Sequence, residues 1–224
     1  YLEKEQRYWP NAAAAVPALA RLLSPADANE EVRRYAAEAL NFVGDAIDGA
    51  IPALVHAIRS DPSPVVRHRA MWDFRQVRDL RGHNLVQPLT EALDLPDRFF
   101  LARYDAARVL AMGLKEQAPA KAADVLVQML RDERLYVYEG SGASVRGGSG
   151  EKVDPGAKVE ERRGRDARFL AAMALANMGS AANKANVLAA LEDEKNWNFP
   201  KTNTLNPEMK QRCQEAARIL RASR

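Results

Sequence analysis

The chain has 224 residues and a formal net charge of +3, with 47% of its residues hydrophobic and 28% charged. No apolar run approaches the roughly 20 residues that a membrane-spanning helix requires, and the single cysteine, Cys213, excludes an internal disulfide. A net charge this small permits an acidic partner but does not require one.

The first ten residues contain Tyr8 and Trp9 among mixed charges. We expect them to finish a preceding helix or to cover the open end of the first helical repeat, because the ends of stacked repeats need covering. The chain begins at Tyr1 rather than at a methionine, which leaves room for a removed leader or a preceding domain. The compartment therefore stays open, with the cytoplasm slightly favoured over export.

Residues 51–77 have the pattern of two short helices joined by a tight turn. The first segment places apolar residues at helical spacing, at Ile51, Leu54, Val55 and Ile58. The turn follows at 60–64, where Pro64 suits the first turn of the next helix. The second segment repeats the spacing at Val66, Ala70, Phe74 and Val77. Two helices this short cannot form a core alone, so the pattern predicts neighbouring copies.

Copies of this helical pair recur along the whole chain. The leucine of the first helix recurs at intervals of 35, 35, 37 and 62 residues, at Leu19, Leu54, Leu89, Leu126 and Leu188. The alanine of the second helix recurs at intervals of 34, 36, 65 and 45 residues, at Ala36, Ala70, Ala106, Ala171 and Ala216. A period near 35 with two late insertions is typical of a helical solenoid. We therefore predict an all-α solenoid in a single domain, 1–224, with ten helices in five antiparallel pairs at 11–45, 46–80, 81–114, 117–179 and 182–223.

The repeated segments resemble HEAT repeats, most closely the short bacterial form known as PBS-lyase-like HEAT repeats. First helices read VPALARLL, IPALVHAI and QPLTEAL, and second helices read VRRYAAEAL, VRHRAMWDF and ARYDAARVL. In that family an Asp in the turn and an Arg early in the second helix form a hydrogen-bonded ladder between repeats. The matching pairs are Asp27/Arg33, Asp61/Arg67 and Asp97/Arg103, with Asp132 as a weaker member because an insertion separates it from Arg168. The resemblance also implies that the second helices line a concave face.

Insertions separate the first and second helices of the fourth and fifth repeats. The first, at 132–165, has a centre rich in glycine and serine, and its flank at 135–138 is predicted to pair with 157–160 as a hairpin. The second reads NWNFPKTNTLNP. We expect both to lie on one edge of the solenoid, where aromatic residues either anchor the loops or form a weaker binding edge: Tyr136, Tyr138, Trp197 and Phe199.

The candidate binding face is taken from the second helices. With the recurring alanines buried, residues two before, two after and five after each alanine should project inward. The middle of that face combines large apolar side chains with arginine, which is the composition of interaction hot spots: His68, Trp72, Arg75, Tyr104, Arg108, Phe169 and Met173. The alternative is that a tightly curved solenoid partly buries these side chains against one another.

Catalytic and metal-binding motifs are missing from the sequence. His56, His68 and His83 lie in no metal-ligand pattern, and HExxH, CxxC and GxSxG do not occur. We predict no catalytic residue, no metal and no cofactor. Two enzyme readings remain through fold resemblance: a bilin lyase, and a HEAT-like alkylpurine DNA glycosylase, for which Trp72, Asp73, Asp105 and Arg108 have suitable side chains.

The sequence favours a non-catalytic interaction module that holds a protein segment or peptide on the concave face. Non-enzymatic binding of nucleic acid is a further reading, supported by the arginine content. Phosphate contacts of that kind would make the affinity fall steeply as the salt concentration rises. The predicted partner class is therefore protein first and nucleic acid second.

Overall fold

The computed structural model describes residues 12–23, 29–74, 77, 79–96, 99–138, 164–166, 168–182, 184–198 and 204–223. Within these residues the chain forms ten α-helices and two short strands. The helices are α1 (Ala12–Leu23), α2 (Glu30–Leu40), α3 (Ile51–Ser60), α4 (Pro64–Asp73), α5 (Val86–Ala92), α6 (Phe100–Leu114), α7 (Ala120–Arg131), α8 (Phe169–Met178), α9 (Lys184–Glu192) and α10 (Pro207–Ala222). The prediction of an all-α fold with ten main helices is confirmed.

The chain divides into two compact units, an N-terminal unit, Tyr1–Val109, and a C-terminal unit, Leu110–Arg224, with the boundary inside α6. In the N-terminal unit, α3 packs between α1 and α5 in one layer, and α2 packs on α4 in a second layer. In the C-terminal unit, α7 packs on α9 and α8 packs on α10 in the same way. The assignment of all 224 residues to one domain stays a prediction.

Local sequence explains where the second helix of the second repeat begins and ends. Ser63 precedes α4, and its Oγ accepts hydrogen bonds from the backbone N–H groups of Val65 at 3.2 Å and Val66 at 3.4 Å. Pro64 occupies the start of the helix, where no backbone N–H is needed. The helix ends at Asp73, one residue before the predicted core residue Phe74, which is fully buried.

The recurring alanines form the centre of the core. Each is at most 2% exposed, and this holds for Ala36, Ala70, Ala106, Ala171 and Ala216. Because their side chains are small, the second helices can approach one another closely and still fill the space between them. The recurring leucines are less uniform: Leu54, Leu89 and Leu126 are fully buried, whereas Leu19 and Leu188 are half-buried.

A buried ion pair links the first repeat to the second. Nε of Arg33 donates to Oδ2 of Asp61 at 2.6 Å, and Nη2 of Arg33 donates to Oδ1 at 3.1 Å. Asp61 also accepts a hydrogen bond from the backbone N–H of Ser63 at 2.9 Å. The hydrogen bond to Asp61 raises the pKa of Arg33 above its ordinary value, although burial acts in the opposite direction. The predicted contact of Asp61 with a neighbouring repeat is therefore confirmed.

Three other ladder arginines donate to backbone carbonyls in turns, and one of these bonds joins Nη1 of Arg103 to the carbonyl oxygen of Leu95 at 3.2 Å. Nε of Arg67 donates to the carbonyl oxygen of Asp61 at 2.6 Å, which ties α4 to the end of α3. Nη2 of Arg168 donates at 2.8 Å to the carbonyl oxygen of Asn198, in the second insertion. Asp132 contacts its near neighbour Arg134 at 2.6 Å. The remaining predicted ladder members Asp27 and Asp97 lie outside the described residues.

The first insertion begins and ends in an antiparallel ribbon. Strand β1 (Tyr136–Tyr138) pairs with β2 (Gly164–Asp166), with Tyr136 opposite Asp166. The hairpin prediction was correct for the first strand and wrong for its partner, since 164–166 takes the place predicted for 157–160. Pairing directly before α8 closes the insertion at its base, so α8 begins at Phe169. Residues 157–160 lie outside the described residues.

Candidate functional site

Trp72 is the large aromatic residue of the predicted binding face in the N-terminal unit. It lies on α4, one turn after His68, and it is half-buried. The rings of His68 and Trp72 meet edge to face, with their centroids 5.8 Å apart and their planes at 73°. Because His68 is itself only 7% exposed, it supports the indole from the core and limits its movement.

His68 also contacts the next second helix, α6. Its Nδ1 lies 2.8 Å from Oδ2 of Asp105, at ion-pair distance but without the direction of a good hydrogen bond. The other carboxylate oxygen, Oδ1, accepts a hydrogen bond from Nη1 of Arg108 at 2.9 Å. His68, Asp105 and Arg108 therefore form one connected group beside Trp72. Within it, the Asp105 carboxylate offsets the positive charge of the Arg108 guanidinium.

Two residues of the predicted face are buried, which favours the alternative that these side chains pack against neighbouring helices. His68 is 7% exposed and Tyr104 is 3% exposed. Tyr104 packs edge to face on Phe100, with ring centroids 5.8 Å apart. Both lie two residues before an anchoring alanine. Two residues after an anchoring alanine, Trp72 and Arg108 lie half-buried and Met173 is exposed.

Some predicted residues fall where no side chain is described. Arg75 and Phe199 lie outside the described residues altogether. Tyr136 and Tyr138 are placed in β1 and Asp73 at the end of α4, but the description does not extend to their side chains. Their proposed roles stay predictions.

The C-terminal unit carries its own part of the predicted face on α8. Phe169 is half-buried, and the guanidinium carbon of Arg212 lies 5.9 Å from its ring centroid. Met173 is exposed, and a second exposed methionine, Met112, lies on α6. Asn177 bridges the two methionines, because its Nδ2 donates to Sδ of Met112 at 2.8 Å and to the carbonyl oxygen of Met173 at 3.3 Å.

Sequence reasoning missed several exposed apolar residues on second helices, including two aromatic residues and a methionine. Tyr35 and Phe42 on or directly after α2 are 56% and 50% exposed, and Met112 on α6 is 52% exposed. The guanidinium carbon of Arg34 lies 4.1 Å from the ring centroid of Tyr35. These residues lie one before or six after an anchoring alanine. Extending the register analysis to those two positions would have found them.

Trp197 is buried and contacts the end of α9. It is 7% exposed, and its Nε1 donates to the carbonyl oxygen of Leu191 at the end of α9 at 2.8 Å. The backbone N–H of Asn206, just before α10, donates to the carbonyl oxygen of Trp197 at 2.8 Å. Nζ of Lys210 lies 5.5 Å from its ring centroid. These contacts favour the anchoring alternative, and the binding-edge role of Trp197 stays a prediction.

The geometry of Asp105 bears on the glycosylase reading. A general base needs an oxygen lone pair directed at its substrate. The side chain of Asp105 is only 5% exposed, and His68 and Arg108 lie 2.8 Å and 2.9 Å from its two oxygens. This arrangement favours a structural role for Asp105, which pairs with Arg108 on its own helix and contacts His68 of the preceding repeat. Within the described residues, no three or more His, Cys, Asp or Glu side chains gather as metal ligands would.

Comparison with known proteins gives one match. Residues 7–74 match a family model described as HEAT repeats, and this range contains the first repeat and α3 and α4 of the second. No curated protein and no solved structure matches the chain. Among the described helices, none combines the length and the apolar character that crossing a bilayer requires.

Proposed function

On the premise that residues 7–74 match HEAT repeats, we propose that the chain is a non-catalytic interaction module that binds a protein segment on the face of its second helices. HEAT repeats commonly mediate protein interaction. The resemblance predicts that this face is concave, which suits an extended or helical segment. The proposal places the main contact on the N-terminal unit, at Trp72 and Arg108, and a separate contact on the C-terminal unit, at Phe169 and Met173.

The observation that carries the proposal is the way Trp72 is held. A half-buried indole offers a large and rigid apolar surface at little cost in side-chain entropy. The edge of His68 supports the indole, and the contact of His68 with Asp105 ties that support to the next repeat. Arg108 adds polar capacity beside the indole, since a guanidinium has five N–H donors and Asp105 accepts from one of them. This combination suits a peptide with an apolar side chain next to a carbonyl or carboxylate group.

Trp72→Ala is expected to weaken peptide binding about 30-fold, because truncation of a hot-spot residue costs at least about 2 kcal/mol. The probe is a peptide selected against the immobilised wild-type chain from a random display library. Its dissociation constant is then measured for each variant by titration calorimetry. The matched control is His56→Ala, which removes an exposed ring from α3, in the layer of first helices, and should leave the affinity unchanged.

Stability measurements separate a binding role of Trp72 from a structural one. Unchanged affinity of Trp72→Ala together with a loss of about 3–5 kcal/mol in unfolding free energy would show that the indole belongs to the core. Failure of the library to yield any peptide that depends on Trp72 or Arg108 would count against the proposed face.

Salt and substrate tests address the other readings. Nucleic-acid binding predicts that the affinity for a short duplex or single strand falls steeply as salt rises, whereas the peptide contact proposed here depends on salt only weakly. A bilin lyase would join a bilin to a cysteine thiol of an acceptor protein, and a glycosylase would release the alkylated base from a DNA duplex. Turnover of either substrate would overturn the non-catalytic assignment.

A further inference from the structure

The six methionines of the chain fall into two classes of exposure. Met112 on α6 is 52% exposed and Met173 on α8 is 41% exposed. The other four are at most 3% exposed: Met71, Met129, Met178 and Met209. Oxidation of a thioether requires access to its sulfur, so the structure separates two reactive methionines from four protected ones.

The two exposed methionines form one local cluster. Asn177 connects them, since its Nδ2 donates to Sδ of Met112 and to the backbone carbonyl of Met173. Met173 lies two residues after its alanine anchor, in the same register that Trp72 occupies in the N-terminal unit. Two exposed thioethers on second helices, linked through Asn177, give an apolar and flexible surface of the kind that adaptable binding sites use.

We propose that Met112 and Met173 form a reversible oxidation site, at which hydrogen peroxide converts both thioethers to sulfoxides while the core methionines stay reduced. In each reaction a sulfur lone pair attacks one peroxide oxygen, an S–O bond forms and the O–O bond breaks. Proton transfer to the departing oxygen then releases water. The sulfur loses a pair of electrons and the peroxide gains them, and a methionine sulfoxide reductase with a thiol reductant reverses the change.

Oxidation replaces two flexible apolar side chains with polar ones on the face where a partner segment is proposed to bind. This consequence for binding rests on the proposed function. The oxidation site itself does not, because exposure alone decides which sulfurs react.

The test treats the full chain with dilute hydrogen peroxide and follows each methionine by digestion and mass spectrometry. Met112 and Met173 are expected to react at least about tenfold faster than Met178, a buried methionine on the same helix as Met173. Circular dichroism should show that the helices persist when both have reacted. Equal rates for Met173 and Met178, or loss of helical signal in step with the first oxidations, would overturn the proposal.

A double variant, Met112→Leu with Met173→Leu, is the matched control, because leucine conserves volume and apolar character but has no sulfur. In the time in which the wild type gains one oxygen atom at Met112 and one at Met173, this variant should gain none. The buried Cys213 should stay reduced in both proteins. Uptake at the wild-type rate by the double variant would also overturn the proposal.

The effect on binding is measured with the peptide selected against the wild-type chain. Weaker binding after peroxide in the wild type, but not in the double variant, would support the inferred consequence. Equal binding by the oxidised and reduced forms would show that oxidation does not affect peptide binding. The oxidation site itself is tested separately, by the oxidation rates of the individual methionines. Failure of the proposed function would show itself as the absence of any selected peptide.

Discussion

Replacement of Asp61 by alanine is expected to lower the free energy of unfolding by about 3–5 kcal/mol, because it leaves the charge of Arg33 buried without its partner. The two side chains are only 4% and 6% exposed, and Asp61 accepts two hydrogen bonds from Arg33. Asp61 also accepts from the backbone N–H of Ser63, so the substitution loosens the turn before α4 as well. Urea denaturation followed by circular dichroism measures the loss.

Asp132→Ala is the matched control for this substitution. Asp132 follows a first helix at the same position as Asp61, but its contact with Arg134 involves a guanidinium that is 47% exposed. Exposed pairs typically contribute at most about 1 kcal/mol, so we expect a smaller loss. Equal losses for Asp61→Ala and Asp132→Ala would contradict the buried-pair explanation.

The pair between Arg33 and Asp61 also has a defined dependence on pH. The hydrogen bond to Asp61 raises the pKa of Arg33 in the folded chain above its value in the unfolded chain. The contribution of this pair to stability is therefore complete at pH values below the unfolded-state pKa of Arg33, and it is lost only as the pH rises through the folded-state pKa. Both values lie far above neutrality. The effect of Asp61→Ala should therefore be nearly constant across the neutral range.

Trp197→Ala is expected to cost about 3–5 kcal/mol of unfolding free energy, since it empties the site of a buried large aromatic residue. Trp197 is 7% exposed, and it joins α9, the second insertion and α10 through Leu191, Asn206 and Lys210. Its loss should therefore release the insertion as well as create a cavity. Thermal and urea unfolding measure the stability, and amide exchange of residues 194–198 reports on the loop.

Trp197→Phe separates packing from hydrogen bonding at this position. The phenyl ring keeps part of the apolar volume but removes the donor to the carbonyl of Leu191, which should cost about 1 kcal/mol from the hydrogen bond. A loop residue that only serves a partner would behave differently. In that case Trp197→Ala would leave stability unchanged and would alter peptide affinity alone.

The sequence by itself determined the helices and the centres of the repeats. Helical periodicity, proline placement and capping residues act within a few positions of the chain, so α3, α4 and the start of α10 follow from local chemistry. The alanine positions were equally predictable, because only a small residue fits where second helices approach closely, and all five are buried. The contact of Asp61 with a neighbouring repeat followed from the resemblance to HEAT repeats.

The tertiary structure decided which residues of the second helices stay accessible. Large apolar residues occur both two positions before and two positions after an anchoring alanine. In the structure, Tyr104, two before Ala106, is 3% exposed, whereas Met173, two after Ala171, is 41% exposed. The difference depends on how near the adjacent helix lies, which a one-dimensional pattern does not contain. The same reason applies to Trp197, for which the sequence left a loop anchor and a binding edge open, and which contacts α9 and α10 in the structure. The same reason explains the antiparallel ribbon. The strand that pairs with β1 is β2, the segment just before α8, whose position is set by where α8 packs. Burial of a side chain and choice of a strand partner are properties of distances between elements, and only the folded chain sets those distances.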